Sequence, residues 1–213
     1  MKLVETDLVF YFEDENKKSQ DFGYVFNVGL PKGESEYFLA TEEIIKNKPD
    51  YLKHLKNVKW AIYDKNFERK TDYHCWIHTA GLVKGQSIYY KVEERGKEAL
   101  FTLNGQKTEF FEKIRDRGAL TGESNYFWGK KNGKFAIYDV NTGEKLTEDF
   151  KSSVLAGVIL GKGTFFVGSY GEEIFYIFDL KTGERLTKAF DEHKLIEILK
   201  HGDLERAVDE IGR

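Results

Sequence analysis

The chain has 213 residues, a formal net charge of −3 at pH 7 and 15% aromatic residues. Because nucleic-acid-binding domains concentrate positive charge, this balance argues against a nucleic-acid partner. No apolar stretch approaches the ~18 residues of a membrane-spanning helix, so the sequence predicts a cytoplasmic protein without membrane contacts.

Cysteine and methionine usage adds two weaker expectations. Cys75 is the only cysteine, which excludes a disulfide within the chain and fits a reducing compartment. Lys and Glu are abundant while Met1 is the only methionine, a bias that favours a thermophilic source.

The first predicted element is a β-hairpin. The apolar segment 8–12 and the segment 20–22 flank a polar turn at 13–19. No matching strand pair is visible after Phe190, so this hairpin has no counterpart at the other end of the pattern that follows.

Four copies of one motif, Gly-x3-Gly-x3-aromatic-aromatic, follow the hairpin. Their first glycines are about 38 residues apart, except that the first interval is 52 residues. A period in this range is typical of repeat proteins. The copies are Gly29/Gly33/Tyr37/Phe38, Gly81/Gly85/Tyr89/Tyr90, Gly118/Gly122/Tyr126/Phe127 and Gly157/Gly161/Phe165/Phe166. The surplus in the first interval predicts a helical insertion at 41–58, where apolar residues have helical spacing.

A second element follows each motif and predicts another hairpin. Its clearest copies are Phe135–Thr147 and Phe175–Thr187, in which a strand runs into Asp-x-x-Thr-Gly. A type I turn followed by a left-handed glycine closes such a hairpin with a bulge. The tail 191–213 breaks the pattern and predicts two helices, with Asp191 as a cap and Leu195, Ile196 and Leu199 on the first apolar face.

The segment Asn132–Lys145 resembles the WG-repeat family, whose repeats contain Asn-Gly-Lys-Trp-Gly, an apolar pair, Asp and a Thr-Gly-Lys turn. Phe135-Ala136 stands where that family has Trp-Gly, and the resemblance covers about 60–190. The Asp-x-x-Thr-Gly turn is also similar to turns of WD40 and quinoprotein propellers. The resemblance implies a β-repeat binding scaffold, and the WG family carries no catalytic set to transfer.

These elements predict an all-β fold: a propeller-like array of four-stranded antiparallel units, with the helical insertion and a C-terminal helical tail. The predicted domains are a β-repeat domain at 1–190 and the tail 191–213 packed on it. The array either closes into a ring or stays open with helices over its edges, and we favour the ring because a propeller removes its sheet edges.

The strand around His74, Cys75, Trp76 and His78 holds the main candidate chemistry. Alternation places His74, Trp76 and His78 on one face and Cys75 on the other. Positions i and i+4 of a strand lie ~13 Å apart, so the two histidines cannot share a zinc ion, and no metal or cofactor is predicted. Histidines packed in an aromatic strand are the preferred interpretation. A catalytic proton-transfer or ligand-contact role for His74 or His78 is the alternative.

Trp76 and Trp128 are the candidate ligand-binding aromatics. Since adjacent strand residues face opposite ways, core filling is the better interpretation of the aromatic pairs, and Trp128 is the first to test for surface exposure. The glycine motif lacks the Gly-Lys-Ser/Thr ending of a phosphate-binding loop.

Two functions remain open. The first is a non-catalytic scaffold that binds a protein partner, or associates with itself through an unpaired strand edge. The alternative is an enzyme or a small-ligand or carbohydrate-binding protein with a central cleft near His74–His78.

Overall fold

The computed structural model describes residues 1–6, 9–15, 17–44, 58–171 and 173–212. It is mostly β, with several small antiparallel sheets and two C-terminal helices, which confirms this part of the predicted fold class. Within the described residues, no helix combines the length and apolar character that a membrane crossing requires. The chain divides into two compact units, Met1–Gln106 and Lys107–Arg213.

The first unit contains three sheets, ordered β1-β2, β3-β4-β5 and β6-β7-β8-β9. The strands are β1 Lys2–Glu5, β2 Phe10–Glu13, β3 Tyr24–Val25, β4 Tyr37–Thr41, β5 Ala61–Asp64, β6 Trp76–Ile77, β7 Tyr90–Glu94, β8 Lys97–Thr102 and β9 Gly105–Gln106.

The second unit contains two sheets, ordered β10-β11-β12 and β13-β14-β15, followed by the helices. The elements are β10 Lys113–Arg115, β11 Tyr126–Lys131, β12 Lys134–Asp139, β13 Ser152–Ser153, β14 Phe165–Ser169, β15 Tyr176–Asp179, α1 Glu192–His201 and α2 Leu204–Ile211.

Four of the five sheets share one pairing plan. A central strand (β4, β7, β11 or β14) pairs antiparallel with a short leading strand before it (β3, β6, β10 or β13). The same central strand pairs with a trailing strand after it (β5, β8, β12 or β15). The sheet β1-β2 has a central and a trailing strand only, because β1 pairs with β2 and with no other strand of the described residues.

The glycine motifs form the turns that enter the central strands. Gly33, Gly85 and Gly161 each end a short 3-10 helix with φ near +70°. Only glycine adopts this left-handed conformation without steric cost, which explains the second glycine of the motif.

The predicted N-terminal hairpin is present in the described part of its range. Phe10 and Phe22 exchange two backbone N–H···O bonds of 2.8 Å each. Leu8 lies outside the described residues. Strand β1, which the sequence did not predict, pairs with the outer side of this hairpin.

The predicted helical insertion at 41–58 falls mostly outside the described residues, which omit 45–57. At its start the prediction is wrong, because Thr41 is the last residue of strand β4 and residues 42–44 form no helix.

The two predicted tail helices are confirmed, with one correction. Asp191 caps α1 by accepting a 2.9 Å hydrogen bond from Lys194 N. Leu195 is buried as expected, but Ile196 and Leu199 are exposed. Ile198 instead completes the buried face of α1. Leu195/Ile198 and Ile196/Leu199 are both i, i+3 pairs, so helical spacing alone does not decide which pair is buried.

The tail lies in the second unit, where it packs on the last sheet. The shared apolar cluster includes Val167 and Ile177 of the sheet and Leu195, Ile198 and Leu204 of the helices. The boundary between the two compact units falls inside the range 1–190. The assignment of this range to a single β-repeat domain stays a prediction.

Candidate polar site on the sheet β6-β9

The sheet β6-β9 places an oppositely charged pair, a second carboxylate and a histidine at positions that are mostly apolar in the sheets β3-β5 and β13-β15. Four positions lie side by side in each of the four sheets that share the pairing plan. When the register is continued by one residue past the short strands, one position belongs to the leading strand, two to the central strand and one to the start of the trailing strand. These positions are His78, Lys91, Glu93 and Glu98 in the sheet β6-β9; Phe26, Leu39, Thr41 and Trp60 in β3-β5; Arg115, Trp128, Lys130 and Phe135 in β10-β12; and Val154, Val167, Ser169 and Phe175 in β13-β15.

The four charged or titratable side chains lie close together. Glu93 and Glu98 are direct cross-strand partners. His78 Nε2 is shielded from solvent and lies 4.0 Å from Glu93 Oε2. Lys91 Nζ lies 3.7 Å from Glu98 Oε2, and these two side chains are only 8% and 2% exposed. We call these four residues the polar cluster.

The buried Lys91–Glu98 pair is not required by the strand pairing. In the sheet β3-β5 the equivalent residues Leu39 and Trp60 are fully buried in an apolar cluster. Removing two charges from water costs several kcal/mol per ion, and well-packed apolar residues are often as stable or more so. The polar cluster therefore points to a role other than stabilising the sheet.

His74 does not belong to the polar cluster. It forms a β-bridge with Trp60 of the preceding sheet, and its ring packs 5.2 Å from that of Phe101. Its Nδ1 lies 3.4 Å from Glu94 Oε1, whereas His78 faces Glu93. The expected alternation from His74 to His78 is therefore wrong, because strand β6 begins only at Trp76.

A second group surrounds Cys75. Lys59 Nζ donates to Cys75 Sγ at 3.2 Å, and Cys75 N donates to Glu94 Oε1 at 2.9 Å. The hydrogen bond to Cys75 raises the pKa of the Lys59 ammonium. Burial acts to raise the pKa of the Glu94 carboxyl, but the hydrogen bonds from Cys75 and the charge of Lys59 outweigh it, and the pKa is lowered. Glu94 therefore stays ionised at neutral pH.

His74 is held neutral by its surroundings. Burial lowers the pKa of its imidazole below the ordinary value of 6.5, and Lys59 adds to this effect. The carboxylates of Glu94 and Asp72 oppose the shift without cancelling it. A neutral imidazole donates one hydrogen bond through one ring nitrogen and accepts one at the other, but it supplies no positive charge.

We predict that His74→Phe stabilises the protein. Phe occupies the equivalent bridge position in the other sheets, at Phe22, Phe111, Phe150 and Phe190. With a lowered folded pKa, His74 leaves the free energy of unfolding at its full value above about pH 6.5 and reduces it as the pH falls. Urea unfolding should show a gain of about 1 kcal/mol at pH 7 and a larger gain at pH 5. An equal gain at both pH values would contradict the assignment, and His74→Gln separates loss of titration from gain of packing.

The two candidate tryptophans have different environments. Trp128 is fully buried, and its Nε1 donates to Val154 O at 2.9 Å, which agrees with core filling and does not fit its candidate role as a ligand-binding aromatic. Trp76 is half-buried and packs edge-on against Trp60 at 5.7 Å. Trp128 therefore offers no exposed ring for a stacking site, and Trp76 is only partly exposed.

A cleft of about 400 Å³ lies beside His74. Its apolar part comes from Tyr90 and Phe101, and its polar part includes Arg69 and Asp72. This cleft has the mixture of aromatic and polar groups that small polar ligands use.

Sequence reasoning missed Lys91, Glu93 and Glu98. A signal for one of them was available: aligning Ala99 with Ala136 places Glu98 where the third copy has Phe135. A charged residue at a position that is aromatic in other copies is the informative departure.

Compared with known proteins, the chain matches no family model, and no curated protein shows significant similarity to it.

Proposed function

We propose that the chain is a non-catalytic β-repeat scaffold, similar to WG-repeat proteins, that binds a protein partner by accepting an extended segment along strand β1. The proposal includes a propeller-like arrangement of the sheets and a cytoplasmic setting, both of which follow from the sequence pattern.

The outer edge of β1 carries the proposal. Every central strand of the other four sheets is paired on both sides, whereas β1 has β2 on one side and no strand of the described residues on the other. An open strand edge presents a row of backbone donors and acceptors that pairs readily with another chain.

The register identifies which backbone groups face outward. Thr6 N donates to Val9 O at 2.9 Å, so alternation along the hairpin directs the backbone groups of Val4 towards β2 and those of Leu3 outward. Leu3 pairs with Phe12 as Leu39 pairs with Ile62.

The equivalent acceptors are used in the complete sheets. Phe26 N donates to Leu39 O at 3.0 Å, and His78 N donates to Lys91 O at 2.9 Å. Leu3 O is the corresponding acceptor in β1, and we infer that a partner backbone N–H fills this place.

A cleft of about 640 Å³ beside β1 accommodates side chains of the partner. It is lined by Lys2 and Leu3 of β1 and by Phe10, Tyr24 and Val25 of neighbouring strands, among others. The mixed lining suits a segment that alternates apolar and polar residues.

The leading strands define the occupant. Each is two or three residues long and runs antiparallel to its central strand. In three of them the second residue is a buried β-branched one, namely Val25, Ile77 or Ile114. The partner segment is therefore short, extended and antiparallel to β1, with an aliphatic residue at its centre.

We predict that Leu3→Pro abolishes this binding. The probe is a synthetic peptide of residues 111–117, which contains the leading strand β10 with charged residues on both sides of Ile114. Proline removes the outward N–H and fills the edge with its ring, while the bonds of Val4 to β2 remain. Isothermal titration should show at least tenfold weaker binding to Leu3→Pro and unchanged binding to Leu3→Ala.

The same peptide with Ile114→Pro is the matched control and should not bind. Equal binding of the 111–117 peptide to the wild-type chain and to Leu3→Pro would contradict strand addition at β1. Self-association through the same edge is the competing outcome, and sedimentation equilibrium detects it as a concentration-dependent mass that Leu3→Pro abolishes.

The cleft beside His74 favours a second candidate function, binding of a small polar ligand such as a saccharide. Its aromatic residues Tyr90 and Phe101 lie next to the charged residues Lys70 and Asp72. Titration with mono- and disaccharides, followed by the NMR signals of Tyr90 and Phe101, tests this function. Unchanged signals would exclude it.

A further inference from the structure

We propose that His78, Glu93 and Glu98 bind a divalent transition-metal ion, with Zn²⁺ as the best match, and that Lys91 competes with the metal for Glu98. The site lies within the first compact unit and is independent of strand addition at β1.

The donor set is that of a zinc site. Each of the three side chains offers one ligand atom, and these atoms all lie within 4.8 Å of one another. Around zinc, nitrogen and carboxylate oxygen ligands lie at ~2.0–2.2 Å, which places neighbouring ligands roughly 3.3 Å apart. Rotation of the two glutamate side chains closes the remaining distance.

The mixture of ligands also discriminates between metals. Ca²⁺ and Mg²⁺ prefer shells made of oxygen, whereas an imidazole nitrogen favours zinc and other transition metals. Three protein ligands leave a fourth position of a tetrahedral shell for water, the arrangement found in sites that keep an open position.

The repulsion between two neighbouring carboxylates favours binding of a cation at this site. Glu93 and Glu98 are opposite each other on adjacent strands, where two like charges destabilise a sheet. Lys91 offsets part of this repulsion through its 3.7 Å contact with Glu98. A divalent cation offsets more of it, because it neutralises both carboxylates at once.

The other sheets supply the comparison within the chain. In β13-β15 the equivalents of His78, Glu93 and Glu98 are Val154, Ser169 and Phe175, so the shared strand pairing forms without any metal-binding side chain. The three ligands meet only in the sheet β6-β9, among the described residues.

Isothermal titration of the chelator-treated chain with ZnCl₂ tests the site. The wild-type chain should bind one Zn²⁺ with micromolar affinity, and Glu98→Gln and His78→Ala should each weaken binding at least tenfold. Glu94→Gln and Cys75→Ser are the matched controls, since these neighbours belong to the separate Cys75 group. Both controls should bind like the wild-type chain.

Lys91→Leu provides a test in the opposite direction. It installs the residue found at the equivalent position Leu39, keeps all three ligands and removes the competing ammonium, so Zn²⁺ affinity should rise at least tenfold. CaCl₂ should give no comparable heat. Absence of Zn²⁺ binding by both the wild-type chain and Lys91→Leu, or binding that depends on Cys75 instead of Glu98, would overturn the proposal.

Discussion

The Gly29→Ala variant should lose more than about 3 kcal/mol of unfolding free energy, the range of severe backbone and packing defects. Gly29 has φ +69°, and a Cβ atom there would lie 2.3 Å from both Tyr37 O and Val83 O. Backbone oxygens cannot move aside as a flexible side chain can. The substitution therefore disrupts the approach of the first glycine turn to the second one, a contact that also includes the Ser35 hydroxyl donating to Val83 O at 2.5 Å.

Gly33→Ala is the matched control. Gly33 has the same left-handed φ of +70°, but nothing lies within 4 Å of its added Cβ. It should cost about 1 kcal/mol, the conformational strain alone. Urea unfolding of both variants measures the difference. Equal losses for Gly29→Ala and Gly33→Ala would show that conformation, and not the close approach of the turns, explains the motif.

Trp128→Ala should destabilise the second unit by roughly 3–5 kcal/mol, as large-to-small changes at buried aromatic residues do. Its ring is fully buried and packs edge-on against Phe150 and Phe166 at 6.0 and 5.9 Å. The substitution also leaves Val154 O without the hydrogen bond from the indole.

Trp128→Phe separates the two contributions. It retains an aromatic ring but removes the indole donor, and it should cost roughly 1–3 kcal/mol, the range for an unsatisfied buried acceptor. The midpoint of urea unfolding is the measurement. A loss below about 1 kcal/mol for Trp128→Ala would contradict the burial of this side chain and indicate that it is exposed.

Local rules predicted the turns and the helix ends. Gly143 and Gly183, the last residues of the two Asp-x-x-Thr-Gly turns, adopt the left-handed conformation, and Asp191 caps a helix. These features depend on the steric and hydrogen-bonding properties of single residues, so spacing along the chain is enough to find them.

Features that depend on pairing between distant segments were not predictable in the same way. Strand β1 contains Lys2 and Glu5 and has no strong apolar pattern, so only its register with β2 defines it as a strand. The alternation predicted from His74 to His78 fails because His74 bridges to Trp60 of the preceding sheet, whereas strand β6 begins only at Trp76.

The polar cluster was missed for a related reason. Lys91, Glu93 and Glu98 have ordinary spacing for solvent-exposed charges on a hairpin, and nothing local marks Glu98 as 98% buried in its side chain. The informative signal was comparison among the copies of the chain itself, which shows charge where Leu39 and Trp60 are apolar.

Chemical-shift perturbation detects strand addition at β1 residue by residue. The ¹⁵N-labelled chain is titrated with the peptide of residues 111–117, and the backbone signals of every residue are followed. Strand addition predicts saturable changes at Lys2–Glu5 and in the adjoining cleft around Tyr24, and the Leu3→Pro variant should not show them. Changes confined to other surfaces, such as the exposed Ile196 and Leu199 of α1, would contradict it.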